Sequence, residues 1–68
     1  MKLTLKKARM LAELKQTEAA NALGVSEVTL SNWENGITFP TIDKVIKMSK
    51  LYNLPLEDFE FKIKEQLK

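Results

Sequence analysis

The chain has 68 residues, enough for one small domain with a single thin core. It contains no cysteine and no histidine, so disulfides, thiolate ligands and the commonest general base are missing, which argues against an enzyme and against a bound cofactor. Eleven Lys and Arg residues against nine Asp and Glu residues give a net charge of +2, which permits nucleic-acid binding without arguing for it.

The spacing of apolar residues predicts an all-α domain whose helices are separated by short turns. The first helix is expected to begin after Thr4, its N-cap, and to run to about Leu14. Its apolar positions recur three and four residues apart, at Leu5, Ala8, Leu11 and Ala12. A second helix is expected over residues 16–23, and Gly24 ends it because glycine adopts the left-handed backbone without steric cost.

Ser26 is a strong N-cap for a third helix from Glu27 to about Asn35, and Gly36 ends that helix. The fourth helix follows the ITFPT loop, with Thr41 as its N-cap and Asn53 at its end. Its predicted apolar positions are Ile42, Val45, Ile46, Met48 and Leu51.

A short fifth helix is expected from Leu56 to about Phe59, after a proline that suits a first helical turn. The tail that follows alternates like a strand and also has apolar residues at helical spacing, so its structure stays open. One domain is therefore predicted over residues 1–68, with its core within about 4–60 and a C-terminal tail over 61–68.

The second and third helices are joined by a tight turn at Gly24 and Val25, which sets two short helices at a steep angle. Small residues of the second helix allow close approach, and Leu30 and Trp33 of the third point to the core. Trp33 could instead stack on bases, but its spacing from Leu30 favours the core. Such a pair occurs in ordinary helical bundles and in helix-turn-helix DNA-binding proteins, where the second helix enters the major groove.

The segment ARMLAELKQTEAANALGVSEVTLSNWENGITFPTIDKVIKMSKLYNLPLEDF, residues 8–59, decides between these two interpretations. Its most specific parts are Gln16, ANALGVS, TLSNWENG and the FPT loop. They resemble the Cro/C1-type helix-turn-helix family, also called the XRE family, and most closely regulators of prophages and mobile elements. The resemblance implies a five-helix, lambda repressor-like domain that binds operator DNA, usually as a dimer.

The resemblance also implies roles for individual residues. The base-reading positions are Glu27, Val28, Ser31 and Asn32. The phosphate-binding positions are Lys15, Gln16, Thr17, Ser26, Thr29, Asn35, Thr38 and Lys44. Arg9 and Glu34 match a structural salt bridge between the first and third helices. By its chemistry, Asn32 can pair with adenine and Val28 can pack on a thymine methyl, whereas Glu27 either accepts from cytosine or only favours the helix dipole.

Three positions depart from the family pattern. Glu13 stands where the family usually has a glycine, and a left-handed backbone there would be strained. Lys15 replaces a capping Ser or Thr. Ile37 replaces a lysine and so removes one phosphate contact. Together these changes predict weaker non-specific affinity for DNA.

These observations predict a sequence-specific DNA-binding transcriptional regulator, a repressor without catalytic activity, whose partners are an operator duplex and a second copy of the chain. The expected dimerisation residues are Leu54, Leu56, Phe59, Phe61, Ile63 and Leu67. The alternative is a protein-interaction module with this fold and weak DNA affinity, such as an antitoxin or an anti-repressor partner. The modest net charge, Ile37 and Glu27 favour that alternative.

No apolar stretch has the length of a signal peptide or a membrane span. The sequence is therefore expected to be cytoplasmic, and associated with the bacterial nucleoid when bound to DNA. It leaves no room for a separate sensor or cleavage domain, so no small-molecule ligand, metal or membrane partner is expected.

Overall fold

The computed structural model describes residues 2–61, and this part is mostly helical. Its α-helices are α1 (Leu5–Leu11), α2 (Gln16–Leu23), α3 (Glu27–Glu34) and α4 (Ile42–Tyr52). A 3-10 helix covers Leu56–Asp58, and two short strands are β1 (Leu3–Thr4) and β2 (Phe59–Glu60). The predicted all-α fold class is confirmed. Within residues 2–61 no helix combines the length and apolar character that crossing a membrane requires.

Two of the predicted N-caps form the expected side-chain hydrogen bonds. Thr4 Oγ1 accepts from the Lys7 N–H at 3.2 Å, and Ser26 Oγ accepts from the Thr29 N–H at 3.1 Å. Thr41 also stands at an N-cap, but its hydroxyl donates to Asp43 Oδ1 at 2.5 Å instead of capping the backbone. This hydrogen bond lowers the pKa of the Asp43 carboxyl, which stays ionised at the positive end of α4.

Each of the four α-helices is followed by a residue with a left-handed backbone. The φ angles are 61° at Glu13, 76° at Gly24, 76° at Gly36 and 56° at Asn53. The predicted helix ends at the two glycines and at Asn53 are confirmed. Glycine and asparagine tolerate this conformation, whereas a glutamate has a Cβ that clashes with the following carbonyl group.

The helix end at Glu13 corrects the prediction that the first helix reaches Leu14. The Glu13 N–H donates to Met10 O at 2.9 Å, and the Leu14 N–H donates to Arg9 O at 3.2 Å. These two bonds are those of a Schellman motif, which needs its left-handed residue at position 13. The chain thus adopts a backbone suited to glycine, and the helix ends early despite the favourable apolar spacing.

Replacement of Glu13 by glycine is expected to raise the free energy of unfolding by about 0.5–1 kcal/mol, because relief of the left-handed strain outweighs the added chain entropy of glycine. Glu13→Ala keeps the Cβ and removes the same charge, so it serves as the matched control and should bring no gain. Urea denaturation of both variants measures the difference. Equal stability of the glycine and alanine variants would contradict the strain at this position.

The core lies where the four helices meet and is closed by β2. Its buried apolar residues are Leu5, Ala8, Ala19, Ala20, Leu23, Leu30, Trp33, Val45, Met48, Tyr52 and Phe59. The prediction that Leu11 belongs to the core stripe of the first helix is wrong, since its side chain is 70% exposed. Ile42 and Ile46 of α4 are also exposed, although their spacing matched that of the buried residues of the same helix.

The predicted fifth helix is present as a 3-10 helix that stops one residue before the expected end and is followed by a strand. The 3-10 helix ends at Asp58, and Phe59 turns to an extended backbone with φ −79° and ψ 135°. β2 then pairs in parallel with β1, with Leu3 opposite Phe59 and Thr4 opposite Glu60. This pairing joins the two ends of the described chain and turns the Phe59 ring inward, 6.4 Å from the Tyr52 ring.

The hydroxyl of Tyr52 is buried and has no hydrogen-bond partner among the described residues. Burial raises its pKa to about 12, above the usual value of about 10 for a tyrosine. Since the folded protein holds this proton more tightly than the unfolded chain, Tyr52 stabilises the fold below pH ~10 and loses that contribution as the pH rises towards 12.

We expect tyrosinate absorbance to titrate near pH 12 in the folded protein and near pH 10 in urea. The chain has one tyrosine, so the signal belongs to Tyr52 alone. Tyr52→Phe removes an unsatisfied hydroxyl and should leave stability at neutral pH unchanged or slightly higher. It should also flatten the alkaline fall in stability. A loss of stability at neutral pH in the phenylalanine variant would show that the hydroxyl has a partner.

Candidate nucleic-acid interface

The turn between α2 and α3 is built as the sequence predicts. Gly24 has a left-handed backbone, and the Val25 N–H donates to Ala20 O at 3.0 Å, which closes the end of α2. Ala19 and Ala20 are fully buried, so the small side chains of α2 lie directly against its neighbours. Val25 is half-buried and packs on the core between the two helices. The result is a short bracing helix that is followed, after a tight turn, by a second helix packed against it.

The two sides of α3 differ in chemistry. Leu30 and Trp33 face the core, with exposed fractions of 0% and 8%, so Trp33 is a core residue and not a platform for stacking bases. The opposite side carries all four predicted base-reading residues. Glu27 and Val28 are exposed, and Ser31 and Asn32 are half-buried. Side chains of four different chemistries are thus available on one face of a helix of eight residues.

The predicted ion pair between Arg9 and Glu34 is present and buried. Arg9 Nε donates to Glu34 Oε2 at 2.7 Å, and a second guanidinium nitrogen donates to Glu34 Oε1 at 3.2 Å. Arg9 also donates to Leu14 O at 2.9 Å, next to the strained end of α1. The Glu34 hydrogen bond raises the pKa of Arg9 further above its usual value, so the guanidinium stays charged.

Gln16 extends this network to α2. Its Nε2 donates to Glu34 Oε1 at 3.0 Å, so one carboxylate at the end of α3 holds side chains from α1 and α2. The N-terminus of α2 is thereby fixed beside the C-terminus of α3. The amide nitrogen of Gln16 has a second hydrogen that this bond does not use. Sequence reasoning paired Gln16 with phosphate and did not identify its bond to Glu34.

The other predicted phosphate-binding residues lie at helix ends and turns. Lys15 and Thr17 are exposed at the start of α2, where the Lys15 N–H donates to Glu18 Oε1 at 2.8 Å. Ser26 Oγ lies 2.9 Å from Thr29 Oγ1, and so the two hydroxyls bond each other at the start of α3. Further along, Asn35 Nδ2 donates to Ser31 Oγ at 3.3 Å, and Thr38 is exposed in the following loop.

Lys44 has a structural contact that the sequence did not indicate. Its Nζ donates to Leu23 O at 3.1 Å and therefore caps the C-terminus of α2 beside Gly24. A cation at this end is favoured by the helix dipole. The ammonium group has three donors, and this bond uses one of them. Phosphate binding by Lys44 remains a prediction.

Those of the residues predicted for dimerisation that the structure describes do not share one surface. Phe59 is 5% exposed and belongs to the core, because β2 turns it inward; Leu54 is half-buried. Leu56 and Phe61 are exposed, and Ile63 and Leu67 lie outside the described residues. The exposed pair borders an apolar groove of about 500 Å³, which is lined by Phe39, Pro40, Ile42, Val45, Leu56 and Phe61.

The apolar groove exists because α4 has more apolar positions than the core can cover. Sequence reasoning did not identify it. The groove unites the loop after α3, the start of α4 and the end of the described chain. Ile37, in the same loop, is also apolar and 54% exposed. A predicted helix that has more apolar residues than its core-facing stripe can hold indicates such a surface.

Comparison with known proteins agrees with this geometry. The sequence profile of the helix-turn-helix family matches residues 5–59, and the chain belongs to that family. It is 36% identical over 64 residues to the cryptic phage CTXphi transcriptional repressor RstR of Vibrio cholerae, an alignment that covers 88% of this chain and 58% of that protein.

A second relative is the HTH-type transcriptional regulator ImmR of Bacillus subtilis strain 168. It is 42% identical over 50 residues, which cover 74% of this chain and 39% of the relative. The chain therefore spans little more than half the length of one relative and less than half of the other. No solved structure shows a significant match.

Proposed function

We propose that this chain is a sequence-specific DNA-binding transcriptional regulator, a repressor, that docks α3 in the major groove of an operator. The observation that carries the proposal is the outward face of α3, where Glu27, Val28, Ser31 and Asn32 stand on a helix braced by α2. The names of the two relatives, a transcriptional repressor and a transcriptional regulator, support the same function.

The buried network around Glu34 supports this docking mode. Gln16 of α2 is hydrogen-bonded to the Glu34 carboxylate of α3, which also holds Arg9. A phosphate contact made by α2 and a base contact made by α3 would therefore keep a constant relative position. Phosphate contacts fix the register of the protein on the duplex, and base contacts then select the sequence. The first N–H groups of a helix lack partners within the helix, so the start of α2 would also favour a phosphate.

An amide chemical-shift titration of the labelled protein with a short mixed-sequence duplex at low salt tests the proposal. Residues of the interface, namely Gln16, Thr17, residues 27–32 and residues 35–38, are expected to shift together. Amides at the start of α1 serve as the internal control and should stay still. Shifts confined to the apolar groove would contradict docking of α3 and would favour a protein partner.

The apolar groove is the observation in favour of the second candidate, a protein-interaction module with weak DNA affinity. Salt dependence separates the two functions. Binding to a duplex through several phosphates weakens steeply as salt rises, with a slope of about −0.9 per phosphate in logarithmic units. Apolar contact with a protein has no such dependence. A flat salt profile for the tightest complex of the chain would therefore support the interaction module.

We assign the apolar groove to a second copy of the chain, so that the regulator acts as a homodimer. Four residues that line the groove, Phe39, Ile42, Leu56 and Phe61, have side chains that are 38–68% exposed. For side chains of about 200 Å² each, this leaves on the order of 400 Å² of apolar surface. A specific dimer buries about 800 Å² per partner, so the patch would supply the centre of such an interface.

Ile42→Glu tests the dimer, because a carboxylate would interrupt the apolar centre while favouring the first turn of α4. Leu11→Glu is the matched control, since Leu11 is 70% exposed and Ile42 68% exposed. Sedimentation velocity is expected to show a dimer for the wild type and the control and a monomer for Ile42→Glu. A wild-type monomer at millimolar concentration, or an unchanged dimer in Ile42→Glu, would remove the second copy from the proposal.

A further inference from the structure

The side chains on the outward face of α3 differ in whether they already have a partner. Ser31 Oγ accepts from Asn35 Nδ2, and the Thr29 hydroxyl is bonded to Ser26. Among the described residues, the side-chain amide of Asn32 makes no hydrogen bond, and Val28 leaves 70% of its surface exposed. The groups on this face without any hydrogen-bond partner among the described residues are therefore the Val28 methyls, the Asn32 carboxamide and the Glu27 carboxylate.

Each of these groups matches a particular base edge in the major groove. An apolar side chain packs on the C5 methyl of thymine, and a carboxamide forms two hydrogen bonds with N6 and N7 of adenine. The commonest contact to guanine uses Arg or Lys, and the sequence of α3, EVTLSNWE, contains neither. The Glu27 carboxylate can accept from the amino group of cytosine at the N-terminal edge of the helix.

We propose that α3 reads two A·T pairs in each half-site, with Val28 against a thymine methyl and Asn32 on an adenine. Val28 and Asn32 are four residues apart and thus on the same face of the helix. Four residues rise about 6 Å along a helix, and base pairs are stacked about 3.4 Å apart. The two A·T pairs therefore lie one to two steps from each other. The inference rests on the proposed docking of α3 in the major groove.

Selection of bound duplexes from a random library with the full chain gives the first test. The recovered half-site is expected to contain a thymine and an adenine within one to two steps of each other. Asn32→Ala should lose the preference at the adenine, and Val28→Ala should lose it at the thymine. A half-site read through G·C pairs at both positions would overturn the inference and leave DNA binding intact.

Single-atom changes in the selected duplex give the second test. Replacement of the contacted thymine by deoxyuridine removes one methyl and is expected to weaken wild-type binding about three- to fivefold. Val28→Ala should be insensitive to that replacement, whereas the control Leu11→Ala, on an exposed part of α1, should behave as the wild type. Replacement of the adenine by 7-deazaadenine removes N7 and should cost about three- to tenfold, an effect that Asn32→Ala abolishes.

The outcomes separate the inference from the proposed function. Selective, salt-sensitive binding that is indifferent to the thymine methyl and to the adenine N7 would overturn the inference alone. Sensitivity to both atoms that persists unchanged in Val28→Ala and Asn32→Ala would assign the reading to other residues and would also overturn it. Absence of salt-dependent binding to any duplex would overturn both proposals.

Discussion

Replacement of Arg9 by alanine is expected to lower the free energy of unfolding by about 3–5 kcal/mol, the cost of leaving a buried charge without its partner. Glu34 is 7% exposed and takes hydrogen bonds from two nitrogens of Arg9 and from Gln16. The variant would keep only the bond from Gln16 and would also leave Leu14 O without its Arg9 donor. A domain of this size has a total stability of only about 5 kcal/mol, so the variant should keep about 0–2 kcal/mol, and up to about half of it should be unfolded.

Urea denaturation followed by the fluorescence of the single tryptophan, Trp33, measures this loss. Arg9→Lys keeps the charge but not the two-point geometry and should fall between the alanine variant and the wild type. A double variant, Arg9→Met with Glu34→Leu, removes both charges and should recover much of the stability. Lys6→Ala, at an exposed position of the same helix, is the control. An unchanged unfolding curve for Arg9→Ala would contradict a structural role for the pair.

Features that depend on a few neighbouring residues could be predicted from the sequence. The caps at Thr4 and Ser26 depend on one hydroxyl and one nearby N–H group. The left-handed ends at Gly24 and Gly36 depend on the missing Cβ of glycine. The strain at Glu13 followed from the departure of this one residue from the family pattern, and its φ of 61° agrees.

Contacts between distant parts of the chain could not be predicted in this way. Leu11 had the spacing of a core residue, but the helix ends there and its side chain is exposed. The bond between Lys44 and Leu23 joins residues 21 positions apart, and no local pattern indicates it. Of the candidate site, the sequence identified the residues on the outward face of α3, whereas the bond between Gln16 and Glu34 required the packing of three helices.

The same limit explains the C-terminal end of the described chain. Apolar residues at 59 and 61 fitted a strand or a helix equally well, and nothing local distinguished core from surface. Pairing of β2 with β1, more than fifty residues earlier, makes that distinction. Side chains two residues apart on a strand point to the same face. Phe59 and Phe61 nevertheless differ in burial, because the core ends between them.

Phe59→Ala is accordingly expected to cost about 3–5 kcal/mol of unfolding free energy, the range for loss of a buried aromatic ring. The Phe59 ring is 5% exposed and packs near Tyr52 at 6.4 Å, so its removal leaves a cavity beneath β2. Phe61→Ala is the matched control, because Phe61 is 38% exposed and lines the apolar groove.

The two phenylalanine variants separate folding from association. Phe59→Ala should strongly lower the urea midpoint. Its unfolding should depend on protein concentration no more than that of the wild type. Phe61→Ala should leave the unfolding of the dilute monomer nearly unchanged and should weaken self-association in sedimentation velocity. If Phe59→Ala were as stable as Phe61→Ala, the strand pairing that carries Phe59 into the core would be wrong, and the tail would again be a candidate for the dimer surface.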